Sequence, residues 1–315
     1  MKHYSIAFVG LGSIAKRHIK NLVSFLNERG DKWTIDLYRS TARPLPEDIS
    51  PFVNSVYQYS EIVPSTRKYN VVFITNPSSL HYEALERFCN NTDAFFIEKP
   101  IFESALIDKS IFDRLGGVIC YVACPLRYNS VIRYIRENVN LHNVMAARAI
   151  SSSFLPEWRA GIDYRDTYSA HKDLGGGVGL DLIHEWDYLT WLFGFPIAGY
   201  SIRTRVSDLD IDCDDLAIYI AQAGNTAIEI HLDYFGRKNI RSLELFTKED
   251  TIRCDILNGT VSYLREGRVI DMKEDRDSFQ MREMRHFFDI IDNKTTNDST
   301  PEQALRVLQL AQGDF

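Results

Sequence analysis

Two hydrophobic rhythms divide the chain. In its first part, short continuous apolar runs recur: Ser5-Ile6-Ala7-Phe8-Val9, 34–38, 70–75, Ala94-Phe95-Phe96-Ile97 and 118–122. Runs of this length, rich in Val, Ile and Phe, are the pattern of parallel strands buried on both faces. Helical stripes lie between them. Residues 16–26 place Ile19, Leu22, Val23 and Leu26 on one face, and 80–90 and 104–115 also read as helices. This alternation predicts an α/β Rossmann-type, doubly wound parallel sheet over 1–124.

Past Pro125 the rhythm changes. A helix at 131–138 and a strand at 143–154 lead into a long polar loop, then a helix at 182–193. Six strand-like runs follow at 199–206, 216–223, 226–234, 240–247, 251–257 and 260–265, joined by hairpin-length turns. The pattern predicts an α+β domain over 125–315 with a mainly antiparallel open sheet. Residues 278–292 form an amphipathic helix with Met281, Met284, Phe287, Phe288 and Ile291 on the packing side, and Pro301-Glu302 opens a last helix. A sheet of this kind, covered by helices on one face, leaves the other for a second subunit, so a homo-oligomer, dimer or tetramer, is expected.

Composition narrows the partners. Lys and Arg total 36 against 43 Asp and Glu in 315 residues, a net charge of −7 with no long basic stretch. That argues against nucleic acid or an anionic membrane and for a small molecule. The Met1-Lys2-His3-Tyr4 start lacks a signal-peptide core, and no apolar run nears the roughly 18 residues of a membrane span, so a cytoplasmic protein is expected. Cys89, Cys120, Cys124, Cys213 and Cys254 show no C-x-x-C or zinc-type spacing and read as reduced, structural thiols. The acidic run 208–215 fails as a calcium loop: Cys213 and Tyr219 stand where an EF-hand needs Gly and Glu. It is expected to be a solvated loop, and no metal site is expected.

The first strand runs straight into Gly10-Leu11-Gly12-Ser13-Ile14-Ala15. Gly10 permits the tight turn, Gly12 lets a pyrophosphate approach the backbone, and Ala15 allows close helix packing. Free N–H groups at Ser13 and Ile14 would meet the anion. The acidic residue that binds a ribose 2′-hydroxyl is missing from the tip of the second strand, where Arg39-Ser40-Thr41 and Arg43 stand; Asp36 falls before the tip. This predicts NADP in preference to NAD. Asn76-Pro77 follows the next strand. Glu98-Lys99-Pro100 ends the strand after that, on the sheet edge where open α/β folds bind ligands. Farther on, Gly175-Gly176-Gly177 leads to Asp181 and His184.

In this order, the Gly-x-Gly-x-x-Ala, Glu-Lys-Pro and Gly-rich Asp/His segments resemble the glucose-fructose oxidoreductase, inositol dehydrogenase and MocA family over nearly the whole chain. The resemblance implies NAD(P)-dependent oxidation or reduction of a sugar, sugar acid, nucleotide-linked sugar or cyclitol, with Lys99 and His184 at the catalytic positions. It also implies cofactor contacts near the nicotinamide ribose for Asn76, Pro77 and His81, with a plain helix cap as the competing reading of Asn76, and cofactor contacts for Glu98 and Lys99. The chemistry agrees: hydride transfer from an alcohol needs a base for the hydroxyl proton and a cation beside the developing alkoxide. Asp181 departs from the family pattern, standing three residues before the histidine rather than four. On the same helical face it could orient the imidazole, hold a substrate hydroxyl, or cap the helix.

Residues 158–172 mix aromatic and cationic groups in a way that suits an oxygen-rich ligand. Tyr164, Tyr168 and Lys172 are substrate candidates there, with Arg127 and Tyr128 at the domain junction; ordinary loop anchoring is the competing reading. Two other functions share these motifs. One is a noncatalytic cofactor-binding sensor or assembly subunit, and the other an imine or enone reductase.

Overall fold

Parallel strands build the first of two units in the computed structural model, which describes residues 1–60 and 66–315. β1 (His3–Val9) leads through α1 (Ser13–Glu28) to β2 (Lys32–Arg39) and β3 (Ser55–Gln58). β4 (Tyr69–Ile74), α2 (His81–Phe88), β5 (Thr92–Ile97), α3 (Ser110–Arg114) and β6 (Ile119–Val122) follow. The strands pair in the order β3-β2-β1-β4-β5-β6, all parallel. Ile6, Phe8, Val71, Phe73, Phe95 and Phe96 are fully buried, as runs covered on both faces require. The helix predicted over 104–115 is reduced to the five residues of α3.

This unit comprises Met1–Phe102, Leu106–Ala123 and Gln280–Ala304. The chain first crosses between the units after Phe102, for Glu103–Ala105, and crosses again after Ala123; the sequence-based boundary at 124 assigns 280–304 to the second domain, whereas the contacts group that segment with the first unit. Aromatic packing is the reason. Phe287 of α7 (Arg276–Ile291) contacts Phe73, Phe96 and Tyr121, while Phe288 contacts Tyr4 and Phe25. The apolar stripe read from sequence is therefore the wall of the parallel sheet's core.

The second unit contains Glu103–Ala105, Cys124–Phe279 and Leu305–Phe315. After α4 (Ser130–Asn138) and β7 (Val144–Phe154), short turns lead to α5 (Val178–Asp181) and α6 (His184–Phe193). β8 (Ala198–Thr204), β9 (Leu216–Ala223), β10 (Thr226–Asp233), β11 (Phe235–Thr247), β12 (Thr251–Asp255), β13 (Thr260–Tyr263) and β14 (Arg268–Asp271) complete the sheet, and α8 (Pro301–Ala311) closes the helices. The order is β14-β13-β12-β11-β7-β10-β9-β8. β10 and β11 follow each other in sequence but do not pair, because β7 lies between them, parallel to β10 and antiparallel to β11. Asp233 makes the crossing possible: its Oδ1 accepts the N–H groups of Phe235 and Gly236, and a register shift follows between Phe235 and Ile240.

Two expectations change here. The helix expected at 182–193 begins at His184, and a turn at Leu182 and Ile183 separates it from α5, so Asp181 and His184 do not share a continuous helical face. The acidic 208–215 segment connects β8 to β9 as a loop but is not simply solvated. Asp215 is fully buried and accepts from the N–H groups of Val206 and Ser207 and from the Ser207 hydroxyl. Among the described residues, no helix is long and apolar enough to cross a membrane.

Candidate functional site

In the first unit, register puts the chemistry on one edge. Val9 pairs with both Tyr38 and Ile74, and Ile74 with Ile97, so Arg39, which ends β2, and Gly10, Asn76 and Lys99, which follow β1, β4 and β5, all lie at the same edge of the sheet. The Gly10 N–H donates to the Tyr38 carbonyl, tying the turn to β2. Gly10 has φ +90°, and a Cβ there would stand 2.8 Å from the Asn76 Cα, so both its conformation and its room require glycine. Gly12 differs: a Cβ would meet nothing within 4 Å, and neither φ nor the protein's own packing demands its small size. Space beside an uncapped helix start with no acidic residue in its first turn is what an approaching anion requires.

Further groups on this edge fit a nicotinamide dinucleotide. The Asn76 side-chain oxygen is buried without a hydrogen-bond partner among the described residues. His81, 1% exposed, points Nδ1 at the Ile101 carbonyl and Nε2 at the Asn76 carbonyl, bracing the turn that Pro77 continues. At the β2 tip, Arg39 donates to the Arg43 carbonyl, and its buried Nε has no partner among the described residues. Ser40 follows it, exposed. Asp36 lies within β2, three residues before its end, and accepts from the Tyr69 hydroxyl at 2.9 Å. Glu98 lies one residue past β5, and Lys99 follows half-buried. Burial opposes ionisation of Glu98, yet the hydrogen bond and charge of His18, with the charge of Lys99, hold its carboxyl below the ordinary range.

The second unit gathers the remaining candidates around the Gly-rich turn. Asp181 is 6% exposed and accepts from the Tyr234 hydroxyl at 2.6 Å. Tyr168, 37% exposed as a residue, turns its hydroxyl toward the same carboxylate; the negative charge of Asp181, then burial, raises its pKa above the usual phenol value. The buried Tyr234 is likewise raised, by burial first and Asp181 second. Asp181 therefore receives tyrosine hydroxyls and does not cap α6, which starts without a side-chain cap. His184 opens α6, half-buried. Behind it, Glu185 is fully buried 2.8 Å from Arg241, anchoring the start of the helix to β11.

The loop candidates divide. Arg127 is 5% exposed and grips Asp187 of α6 through two bonds of 3.0 and 2.6 Å, and half-buried Tyr128 adjoins it. The Tyr164 hydroxyl accepts from the Asp210 N–H. Exposed Arg165 holds Asp163, whose pKa it lowers to about 2, so this cation is already paired. Arg159 lies over the Tyr168 ring at 5.3 Å, and Lys172 is exposed. His171, Asp173 and Asp212 bring ligand-type atoms within 4.8 Å of one another, but the His171 Nε2 already faces the Arg165 carbonyl and Asp212 accepts the Lys172 N–H.

Several residues that shape these clusters escape sequence reasoning. Tyr234 and Arg241 reach their partners only through the strand order. His18 left a usable signal, since it shares the buried stripe of α1 with Ala15 and Leu22.

Residues 4–111 match the family model described as an oxidoreductase family with an NAD-binding Rossmann fold, GFO_IDH_MocA. No curated protein matches. Among solved structures, levoglucosan dehydrogenase in complex with NADH and levoglucosan superposes with a TM-score of 0.82 at 15% identity, over 98% of this chain and 95% of that one. UDP-N-acetylglucosamine 3-dehydrogenase GnnA from Acidithiobacillus ferrooxidans gives 0.77 at 16%, over 99% and 96%. GenD2 from gentamicin A biosynthesis, in complex with NAD, gives 0.80 at 15%, over 99% and 93%. At such identities the likeness speaks for the fold, and it extends across both units. Residues 4–111 thus match the model of that NAD-binding Rossmann oxidoreductase family, and the chain as a whole has the fold of those solved dehydrogenases.

Proposed function

We propose that the protein is an NAD(P)-dependent dehydrogenase or reductase acting on a CH–OH carbon of a sugar, sugar acid, nucleotide-linked sugar or cyclitol. The observation that carries this reading is the shared strand-end edge bearing the Gly10 turn, the Asn76 turn and Lys99. A nicotinamide held there would accept or donate the hydride. Ser13 and Ile14 offer main-chain N–H groups to the pyrophosphate beside Gly10 and Gly12. Asn76 offers its unpartnered oxygen beside Pro77, and His81 supports it by holding the Asn76 carbonyl.

In this reading His184 takes the hydroxyl proton and the Lys99 ammonium stabilises the oxygen as charge develops. Asp181 works through Tyr168: accepting that hydroxyl proton leaves the phenol oxygen to receive a hydrogen bond from a sugar. Lys172 supplies a cation for an acidic or nucleotide-linked substrate, while Arg127, Tyr128 and Tyr164 shape the surroundings. Nicotinamide absorbance, followed with NADP or NAD against a panel of sugars, sugar acids, nucleotide-linked sugars and cyclitols, tests the activity. Tight cofactor binding with no turnover on any of them would instead favour a noncatalytic sensor, a reading to which the break between Asp181 and His184 lends some weight.

Preference for NADP over NAD rests on Arg39 at the β2 tip and on Asp36 being engaged by Tyr69. Calorimetric titration is expected to give a lower dissociation constant for NADP. Arg39→Ala should weaken NADP roughly tenfold, the worth of one charge-assisted contact, with little effect on NAD. An unchanged ratio would remove Arg39 from the cofactor site.

Oligomerisation is assigned to the open face of the eight-stranded sheet. Tyr200 and Ile202 of β8 and Ile220 of β9 are 82%, 62% and 58% exposed, side by side in register. Next to them runs a charged ladder in which Arg148 bonds Glu229, and Glu244 bonds Arg253. A second copy of the chain covering the apolar part would remove it from water. Light scattering should report a multiple of the 36.3 kDa chain mass, and Ile220→Glu should shift it to the monomer.

A further inference from the structure

The reading above treats Glu98 and Lys99 as given, yet something must hold a carboxylate at that sheet edge against the cost of burying it. The partner is His18. It lies in the second turn of α1, 2% exposed, with Nε2 2.5 Å from the Glu98 Oε1. Its ring packs edge-on to Phe96 at 5.0 Å and near Phe73 at 6.1 Å, which fixes the imidazole plane. The second Glu98 oxygen accepts the main-chain N–H of Lys99 at 3.2 Å, and the Glu98 N–H donates to the Ile74 carbonyl at the end of β4. One carboxylate therefore bridges the helix that opens at the Gly10 turn and the residue assigned to charge stabilisation.

We propose that His18 is the positioning residue of the Lys99 turn. By donating to one oxygen of Glu98 it aims the other at the Lys99 N–H, and so couples the seating of α1 to the placement of the lysine. Its buried Nδ1 has no partner among the described residues. A hydrophobe could satisfy the pocket better, so the polar contact with Glu98 is what the site gains from a histidine. The inference rests on the reading that Lys99 acts on substrate, but its geometry lies wholly within the first unit.

Amide hydrogen exchange followed by NMR tests it without any substrate. His18→Leu keeps the packing against Phe73 and Phe96 and deletes the donor. Exchange at the Lys99 amide is expected to quicken tenfold or more, while the Glu98 amide, bonded to Ile74, stays protected. His18→Gln, which retains a neutral donor of similar reach, should restore Lys99 protection to within about threefold of the unmodified protein, and Glu98→Gln should reproduce the leucine effect in part. Equal acceleration at both amides would mean general loosening and would overturn the positioning role; so would an unchanged Lys99 amide in His18→Leu. Failure of the catalytic reading shows elsewhere, as undiminished turnover in a Lys99 variant, and leaves these exchange rates as they are.

Discussion

Lys99→Ala is expected to lower kcat by roughly a hundredfold or more, a loss of about 2.7 kcal/mol of transition-state stabilisation. The cofactor dissociation constant should stay within about threefold, because Ser13, Ile14 and the Gly10 turn do not depend on that ammonium. Removing a charge that matters only as the alkoxide forms should leave KM nearly untouched, and that separation of kcat from KM distinguishes it from a residue that merely binds substrate. His184→Ala should cost a similar factor, as loss of a general base typically does. The double variant carries more information. If the two groups act in a single step as proposed, they depend on each other, and the double substitution should cost clearly less than the product of the single effects. Strict multiplication would mean that they serve separate steps. Near-normal turnover in either single variant would overturn the assignment.

The Rossmann half was legible because buried parallel strands announce themselves as unbroken apolar runs and because the Gly10 turn must follow the first of them. β3 escaped notice: its four residues alternate half-buried and exposed, at the edge of the sheet. β14 carries Arg268 and Asp271 on a mostly exposed edge and gives no core signal. The return of α7 to the first unit was hidden for a different reason. Its stripe reports that a face is buried, but periodicity is silent about which core receives it. The same limit applies at the site. Sequence places Asp181 and His184 three apart and suggests one face, but the turn at Leu182 and Ile183 redirects Asp181 toward Tyr234, a partner 53 residues away that only the strand order supplies. Arg127 was a ligand candidate, and Arg165 stands in the cationic 158–172 loop, yet each is already paired with a neighbouring carboxylate. Local composition reveals that charges are present, and only three-dimensional pairing decides which remain available.

Two glycine substitutions should separate what the fold needs from what the ligand needs. Gly176→Ala is expected to destabilise the second unit by about 3 kcal/mol or more, beyond the usual range for a surface change. The added methyl would stand 2.4 Å from the Tyr168 carbonyl oxygen, 2.6 Å from that of His171 and 2.9 Å from that of Ser169, and none of these is a flexible side-chain end that could move aside. The Gly176 N–H also donates to the His171 carbonyl at 2.8 Å, so pushing the chains apart would break the contact that seats the 168–171 segment. Calorimetry should show a lowered unfolding transition, and tyrosine-dependent substrate binding should weaken with it. Gly12→Ala offers the contrast. No protein atom lies within 4 Å of the new Cβ, and no positive φ penalises it, so the unfolding transition should stay put. If a pyrophosphate does pass over that backbone, the methyl occupies its path, and cofactor affinity should fall by roughly tenfold or more with the fold intact. An unchanged affinity would mean that the space beside Gly12 is not where the cofactor approaches. The Gly10 turn would then keep its shape for Asn76, and the cofactor reading would lose its structural footing.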